Sequence, residues 1–449
     1  MKTSYILILS ISILTNSAFA QDAAIDEAAL FADSSSITAD TVMSTVVDQQ
    51  LDKKSVSLSG QLTAAAVVSV SRKGVEEQLL KEVGLTTATV GNIMLDIRLP
   101  GNIKAFADLQ AAYVPNNNTM IVGLQEIFID ANINHQVYLR VGKQVLQWGR
   151  CYFFNPTDLI NIEKKLLYSK VGTREGAFGL KMHVPFGTVA NIYGFLDTRN
   201  VTSPESLSGA IKVEGLLGNT EMALMAWGKQ GYNIVYGFDI STKVLGVDIS
   251  GELGMSQGDN YDLLDIIRDS IMTTTRKGCW TPRAAIGVSR AFDCLDVSDR
   301  ISTVVEFYYN HAGYDENGFA DQKQYLGLRV PSLVHLPTGQ MIPIEKDSLM
   351  TRSAYLSAKN LYRANDYSRY YLAYFVSLAK FIMSDMTLSC NGIINIPQSS
   401  AMLTAGISYV NMHGFSVGLT LIGYAGAKNT EYTFNGKAIT TQLTAGLTF

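Results

Sequence analysis

Asn92-Ile93-Met94-Leu95-Asp96-Ile97-Arg98-Leu99-Pro100-Gly101-Asn102-Ile103-Lys104-Ala105-Phe106-Ala107-Asp108-Leu109-Gln110-Ala111 is two alternating runs joined by a turn. Ile93, Leu95, Ile97 and Leu99 share one face, and Met94, Asp96 and Arg98 share the other. After the turn, Ile103, Ala105, Ala107, Leu109 and Ala111 alternate with Lys104, Phe106, Asp108 and Gln110. Successive side chains of a strand point to opposite faces, so this is a hairpin with one apolar and one polar face. A soluble sandwich would show the same alternation. The hairpin's surroundings have to decide between the two.

Similar segments recur from Ser55 to Phe449, about eighteen in all and between sixteen and twenty on any reading. Their connections sort by parity. Pro100-Gly101, Asn132-Ile133-Asn134, Pro185-Phe186-Gly187, Gly218-Asn219, Val244-Leu245, the turn near Ile382 and Met412-His413-Gly414 are short, and 293–300 is moderate. Connections 72–90, 147–175, 258–280, 313–366 and 426–436 are long. A sandwich has no reason to sort loops this way. An outer-membrane barrel does, with short turns toward the periplasm and long loops outside. The expected fold class is all-β: a transmembrane antiparallel up-and-down β-barrel over 55–449. Leu443, Ala445, Leu447 and Phe449 alternate up to the last residue. This resembles the final strand of Gram-negative outer-membrane proteins, and the resemblance implies recognition of Phe449 by the barrel-assembly machinery.

Composition agrees with that fold. Of 449 residues, 47% are hydrophobic and 17% charged, against about 25% charged in soluble domains. Mean hydropathy is +0.12. The net charge of −4 offers no basic footprint for nucleic acid. At the N-terminus, Lys2, the apolar run Tyr5–Leu14 and Ala18-Phe19-Ala20 form a signal-peptide pattern over 1–20. No later stretch is long and apolar enough for a spanning helix. Residues 21–54 are Ala-, Asp- and Ser-rich and read as a periplasmic leader, mostly mobile. Lipid is therefore an expected partner, and a homo-oligomer is compatible with this reading. Tyr308, Tyr309, Tyr370, Tyr371, Tyr374 and Phe375 fit the aromatic girdles of such barrels.

The polar face of the early strands carries Asp96, Arg98, Lys104, Asp108, Glu126, Asp130 and Arg140. A charge on the lipid face costs about 2–4 kcal/mol at mid-membrane, so these residues should face the lumen. They either form a mixed-charge pore wall or pair up and stiffen the interior. Placing Glu126 and Asp130 inside leaves Gln125 on the lipid side by strict alternation.

The most specific stretch is Arg140-Val141-Gly142-Lys143-Gln144-Val145-Leu146-Gln147-Trp148-Gly149-Arg150, followed by Asn155-Pro156-Thr157-Asp158. It resembles the G-[KR]-Q-x-x-x-x-W-G … N-P-x-D element of poorly characterised, porin-like outer-membrane barrels of Gram-negative bacteria. The resemblance covers about 25 residues. It implies that the loop 147–175 folds inward and narrows the lumen, with Gln144, Trp148, Arg150, Asn155 and Asp158 as candidates. The residues have a plainer reading too: Asn155 as N-cap, Pro156 at the first helical position, and Asp158 three residues after the cap. Trp148 and Arg150 could pair by cation–π contact. The loop 313–366 should hold a hairpin around Pro337-Thr338-Gly339 and a helix from about Ser348 to Tyr362.

No motif for a hydrolase, a P-loop or a metal site is present, and no cofactor is expected. Cys151 and Cys279 would share the outer side, where a disulfide could form. The function read from the sequence is a porin-like channel passing small polar solutes. The alternatives are a closed-lumen barrel acting as an adhesin or structural protein, and an outer-membrane hydrolase with Ser and His on facing strands.

Overall fold

A computed structural model of the chain describes residues 55–72, 83–146, 148–160, 176–199, 201–335, 341–411 and 413–449, leaving aside the side chains of 328–335 and 341–348. The signal-peptide and leader expectations lie outside these residues. Eighteen strands form one antiparallel sheet. They are β1 (Ser55–Ser71), β2 (Val83–Leu99), β3 (Ile103–Val114), β4 (Thr119–Ile133), β5 (Val137–Gln144), β6 (Ala177–Phe186), β7 (Ala190–Asp197), β8 (Ser208–Leu217), β9 (Thr220–Lys229), β10 (Val235–Val244), β11 (Val247–Gln257), β14 (Trp280–Cys294), β15 (Val297–Asn310), β18 (Tyr370–Ala379), β19 (Met386–Asn395), β20 (Ser400–Val410), β21 (Phe415–Ala425) and β22 (Lys437–Thr448). Each pairs with its neighbours, and β1 pairs with both β2 and β22, so the sheet closes into a barrel.

The outer face is apolar. Leu62, Ile93, Ile129, Val141, Leu224 and Ile286 are about half exposed on it. So much exposed apolar surface suits lipid rather than water. The inner face of β2–β11 holds most of the charge. On β20, β22 and β1 it is neutral and polar: Thr404, Thr440, Gln442, Gln61 and Thr63. The first tight turn, Pro100-Gly101-Asn102 between the paired Leu99 and Ile103, holds Gly101 at φ +81° and Asn102 at φ +58°, a left-handed region that glycine and asparagine enter at least cost.

The structure corrects several expectations. β2 begins at Val83, well before residue 91, so the loop before it is shorter than expected. The 293–300 connection is tight, because β14 ends at Cys294 and β15 starts at Val297. Gln125 does not face lipid. A bulge opposite Asp108/Leu109 takes up the extra residue, and Gln125 donates to Gln110 Oε1 at 2.8 Å on the inner face. Of the expected girdle aromatics, Tyr308 and Tyr371 are buried inside, and Phe375 stands on the inner face near Tyr152. Tyr309, Tyr370 and Tyr374 keep the outward position.

Two long loops combine into a cap. β12 (Leu263–Ile267) and β13 (Ser270–Thr274) form a hairpin, and β16 (Tyr325–His335) pairs with β17 (Met341–Met350). A parallel β13–β16 contact joins them in one four-stranded sheet. The expected hairpin is present, although residues 336–340 at its tip lie outside the described residues. The expected helix is only Arg352–Ala358, here α1, capped by the Thr351 hydroxyl. Phe319, Tyr325, Tyr355, Leu356 and Tyr367 make the cap's own core.

Candidate functional site: the inward loop

β5 ends at Gln144, and the chain then turns into the barrel. Residues 148–160 pack along the inner wall. Trp148, Leu159 and Ile160 bury against Phe195, Met225 and Trp227 of β7 and β9. Farther along, Phe154 lies parallel to Tyr308 of β15, with centroids 4.8 Å apart, and Cys151 joins the same cluster. Each large side chain so buried is worth about 1.5–3 kcal/mol, enough to hold the loop inside.

Two carboxylates grip the loop's backbone. Glu252 Oε1 on β11 accepts the Arg150 N–H at 2.6 Å, the Cys151 N–H at 2.7 Å and Asn155 Nδ2 at 3.0 Å. Its Oε2 accepts the Thr157 N–H at 3.1 Å and the Thr157 hydroxyl at 2.6 Å. Glu306 on β15 accepts the N–H groups of Tyr152, Phe153 (2.7 Å) and Phe154 (3.1 Å). Backbone donors that no helix or sheet satisfies are satisfied here by ionised acceptors, which bind more strongly than neutral ones.

The Arg150 guanidinium crosses to three wall acids. Nε lies 2.5 Å from Asp239 of β10, Nη2 3.0 Å from Glu214 of β8, and Nη1 pairs with Glu221 of β9. Lys212 adds a second cation, 3.2 Å from Glu214 and 3.4 Å from Asp239, and donates to the Trp148 carbonyl at 3.2 Å. Five fixed charges thus stand where the loop enters the lumen.

The other candidates fall on the wall of β2–β5. Asp96 pairs with Lys104 at 2.9 Å and with Arg98 at 3.3 Å. Arg140 makes a forked pair with Asp130, at 2.6 and 2.8 Å, and its guanidinium lies 3.8 Å from the Phe128 ring centre. Asp108 accepts from Asn92 at 3.5 Å and stands opposite Glu126. Glu126 accepts the Val145 N–H at 2.6 Å, where the loop leaves β5. Gln144 is fully buried and donates weakly, at 3.4 Å, to the carbonyls of Arg140 and Gly179.

Two local readings fail. Asn155 to Ile160 is not helical, and residues 161–175 lie outside the described residues. The Asn155 amide does not cap a helix here; it bridges Glu252 and the Cys151 carbonyl. Asp158 is buried in the loop beside it, with its N–H on the Asn155 carbonyl. Trp148 and Arg150 do not form a cation–π pair. Trp148 packs into the wall, and the acids draw Arg150 away. Cys151 and Cys279 are both free thiols, Cys151 buried and Cys279 exposed.

Sequence reasoning missed Lys212, Glu214, Glu221, Asp239, Glu252 and Glu306. The signal was present: each is a charge inside an otherwise apolar alternating strand, as in Val304-Val305-Glu306-Phe307-Tyr308. Above the loop, Asn233, Asp259, Tyr261, Arg276, Lys277 and Arg363 line a cavity of about 690 Å³ at the barrel's mouth. Among the described residues, no set of three His, Cys, Asp or Glu is placed to hold a metal ion.

No protein-family model matches the chain, and no curated protein does. Solved structures do. OccK2 (OpdF) of Pseudomonas aeruginosa, solved in complex with glucuronate, is 8% identical, with 88% of this chain and 98% of that one covered at a TM-score of 0.50. OccK3 (OpdO) of the same species is 9% identical over 88% and 95%, also at 0.50. The outer membrane protein OprD of that organism is 8% identical over 88% and 93%, at 0.47. At these identities the first two likenesses support the fold, an 18-stranded barrel of this type.

Proposed function

We propose that the protein is a passive channel of a Gram-negative outer membrane, passing small polar solutes through a lumen narrowed by residues 148–160. The observation that carries this reading is the crossing of Arg150 to Glu214, Glu221 and Asp239. It fixes an inward loop against one side of a charged, hydrogen-bonding interior. Fixed charges of both signs at a narrowing orient and select polar solutes. The solved barrel bound to glucuronate makes a small polar solute a reasonable cargo class. The short turns face the periplasm and the cap faces outward, as in other barrels of this kind.

In this reading no group acts as a catalyst. Asp96, Arg98, Lys104, Asp108, Glu126, Asp130 and Arg140 line the pore wall. Gln144, Trp148, Asn155 and Asp158 set the loop, and Arg150 sets its charge. Phe449 exchanges two backbone hydrogen bonds of 2.9 Å with Gly60 across the barrel's seam.

The test is planar-bilayer recording of the purified protein. Discrete conductance steps, blocked or biased by small charged solutes, are expected. A folded, inserted barrel with no conductance under any condition would favour the closed-lumen reading, for which the cap over the mouth is the supporting observation.

A further inference from the structure

The lumen wall is divided lengthwise by charge. β18, β19, β20, β21, β22 and β1 are consecutive neighbours in the sheet. Their charged residue is Lys437, which begins β22. The fixed charges of the inward loop and of β2–β15 all stand elsewhere. What the uncharged strands offer the lumen is hydroxyls, amides and glycines.

An aromatic platform stands at the edge of this wall. Phe375 is on the inner face of β18, half buried, and pairs in register with Asn391 of β19. Tyr152 of the inward loop lies against it, with ring centres 5.4 Å apart and planes at 34°. Tyr152 keeps 46% of its surface exposed although the loop is inside the barrel, so its ring is presented to the lumen.

From the platform a groove descends toward the short turns. Gly406 of β20 lies between Ser389 and Thr420, and a Cβ added to it would stand 3.2 Å and 3.7 Å from their hydroxyls. One strand over and one row lower, Gly418 lies beside the Thr444 hydroxyl, which an added Cβ would approach to 2.8 Å. One strand further, Gly446 lies between Ser416 and Thr63, at 2.7 Å and 3.2 Å by the same measure. Glycine weakens a strand interior, and close approach of a ligand is one reason to keep it there. Thr404 stands beside Gly406 on the same face, 7% exposed, and its hydroxyl has no hydrogen-bond partner among the described residues.

We propose that this groove is the path of an uncharged sugar, which rests a ring face on Tyr152 and Phe375 and then descends past Gly406, Gly418 and Gly446. A pyranose ring carries C–H groups on its faces and hydroxyls around its edge. The faces suit the electron-rich faces of aromatic rings, and the edge suits neutral groups that both donate and accept. Exchanging water for a wall hydroxyl changes the number of hydrogen bonds little, so the solute can enter and leave each step. A carboxylate or ammonium group on the solute would find no counter-charge on these strands.

The test compares glucose with sorbitol, which is close to it in size and hydroxyl content and has no ring face. In planar bilayers with the full mature protein, glucose should block the wild-type current at an about tenfold lower concentration than sorbitol. Tyr152→Leu and Phe375→Leu keep the bulk and lose the flat face, and Gly406→Val fills the first step of the groove. Each should raise the half-blocking concentration of glucose several-fold and leave that of sorbitol in place. This arm rests on the channel reading. The second arm does not: saturation-transfer NMR from the purified barrel, in a detergent without a sugar headgroup, to glucose and to sorbitol. Transfer should favour the glucose ring protons and fall in Tyr152→Leu and Phe375→Leu. Equal block by glucose and sorbitol overturns the sugar path, and this comparison needs no variant to assemble. Glucose block unchanged in all three variants overturns it too, as does glucuronate blocking at a lower concentration than glucose, which would move the path to the charged wall. A silent bilayer with ring-selective transfer keeps the sugar site and removes the channel.

Discussion

Arg150 and Asp239 are separated by 89 positions in the chain, and their charged atoms lie 2.5 Å apart inside the barrel. The Asp239 side chain is fully buried, and that of Arg150 is 15% exposed. A pair this enclosed loses much more when one member is removed than an exposed pair does. Arg150→Ala would leave Glu214, Glu221 and Asp239 facing Lys212 alone. We expect the loop to lose about 3–5 kcal/mol of docking, toward the lower end because Glu221 is half exposed. In bilayers, conductance should rise and selectivity should move toward cations, read as a shifted reversal potential in a salt gradient. An unchanged reversal potential would remove Arg150 from the selective path.

Glu306 tests the backbone grip without touching the ion pairs. Glu306→Ala strips acceptors from the N–H groups of Tyr152, Phe153 and Phe154. Each buried donor left without a partner costs about 1–3 kcal/mol. The loop should become cleavable near 152–154 while the barrel keeps its heat-modifiable migration. Glu306→Gln retains one acceptor oxygen and should fall between. Equal protection in all three proteins would mean that the aromatic packing of Phe154 holds the loop by itself.

The barrel was legible in the sequence because lipid on one side and a polar lumen on the other impose a period of two on nearly every strand. Gln125 escaped that rule because a bulge breaks the period by one residue. The wall charges near Asp96 and Arg140 were legible because they cluster along the chain. Glu214, Asp239, Glu252 and Glu306 stand one per strand, and their partner is a loop 64 to 154 residues away. Nothing local marks such a pairing. The cap escaped for a similar reason, since its sheet joins strands from two loops through a parallel contact. The helix expected at Asn155 lost to Glu252, which offers the same donors a charged acceptor.

Gly142, in the motif preceding the loop, has a steric reason to be glycine. Its φ is +131°, and an added Cβ would stand 2.2 Å from the Ile127 carbonyl oxygen on β4. Gly142→Ala must therefore push β4 and β5 apart where the chain is about to turn inward. We expect a loss of at least about 1–3 kcal/mol, seen as a lower temperature for loss of the folded electrophoretic form. Gly123→Ala, with nothing within 4 Å and an ordinary φ, is the control. Equal midpoints for the two would refute the steric account.

The four natural cysteines report the topology without any engineered site. Cys279 is exposed on the cap side, just before β14. Cys294 is partly exposed at the far end of the same strand, in the turn to β15. Fifteen residues separate the two ends, about 50 Å of extended chain and ample for a tilted crossing. Cys390 points outward from β19 beside Tyr374, at 3.9 Å, and would lie in lipid. Cys151 is sealed in the inward loop, 3.4 Å from the Ser250 hydroxyl. Single-cysteine variants should therefore separate cleanly. With a membrane-impermeant maleimide on intact cells, only the Cys279 variant should label. After the outer membrane is opened, Cys294 should follow, while Cys151 should need denaturant. Labelling of Cys294 on intact cells with Cys279 silent would invert the barrel and place the cap and the mouth of the inward loop on the periplasmic side.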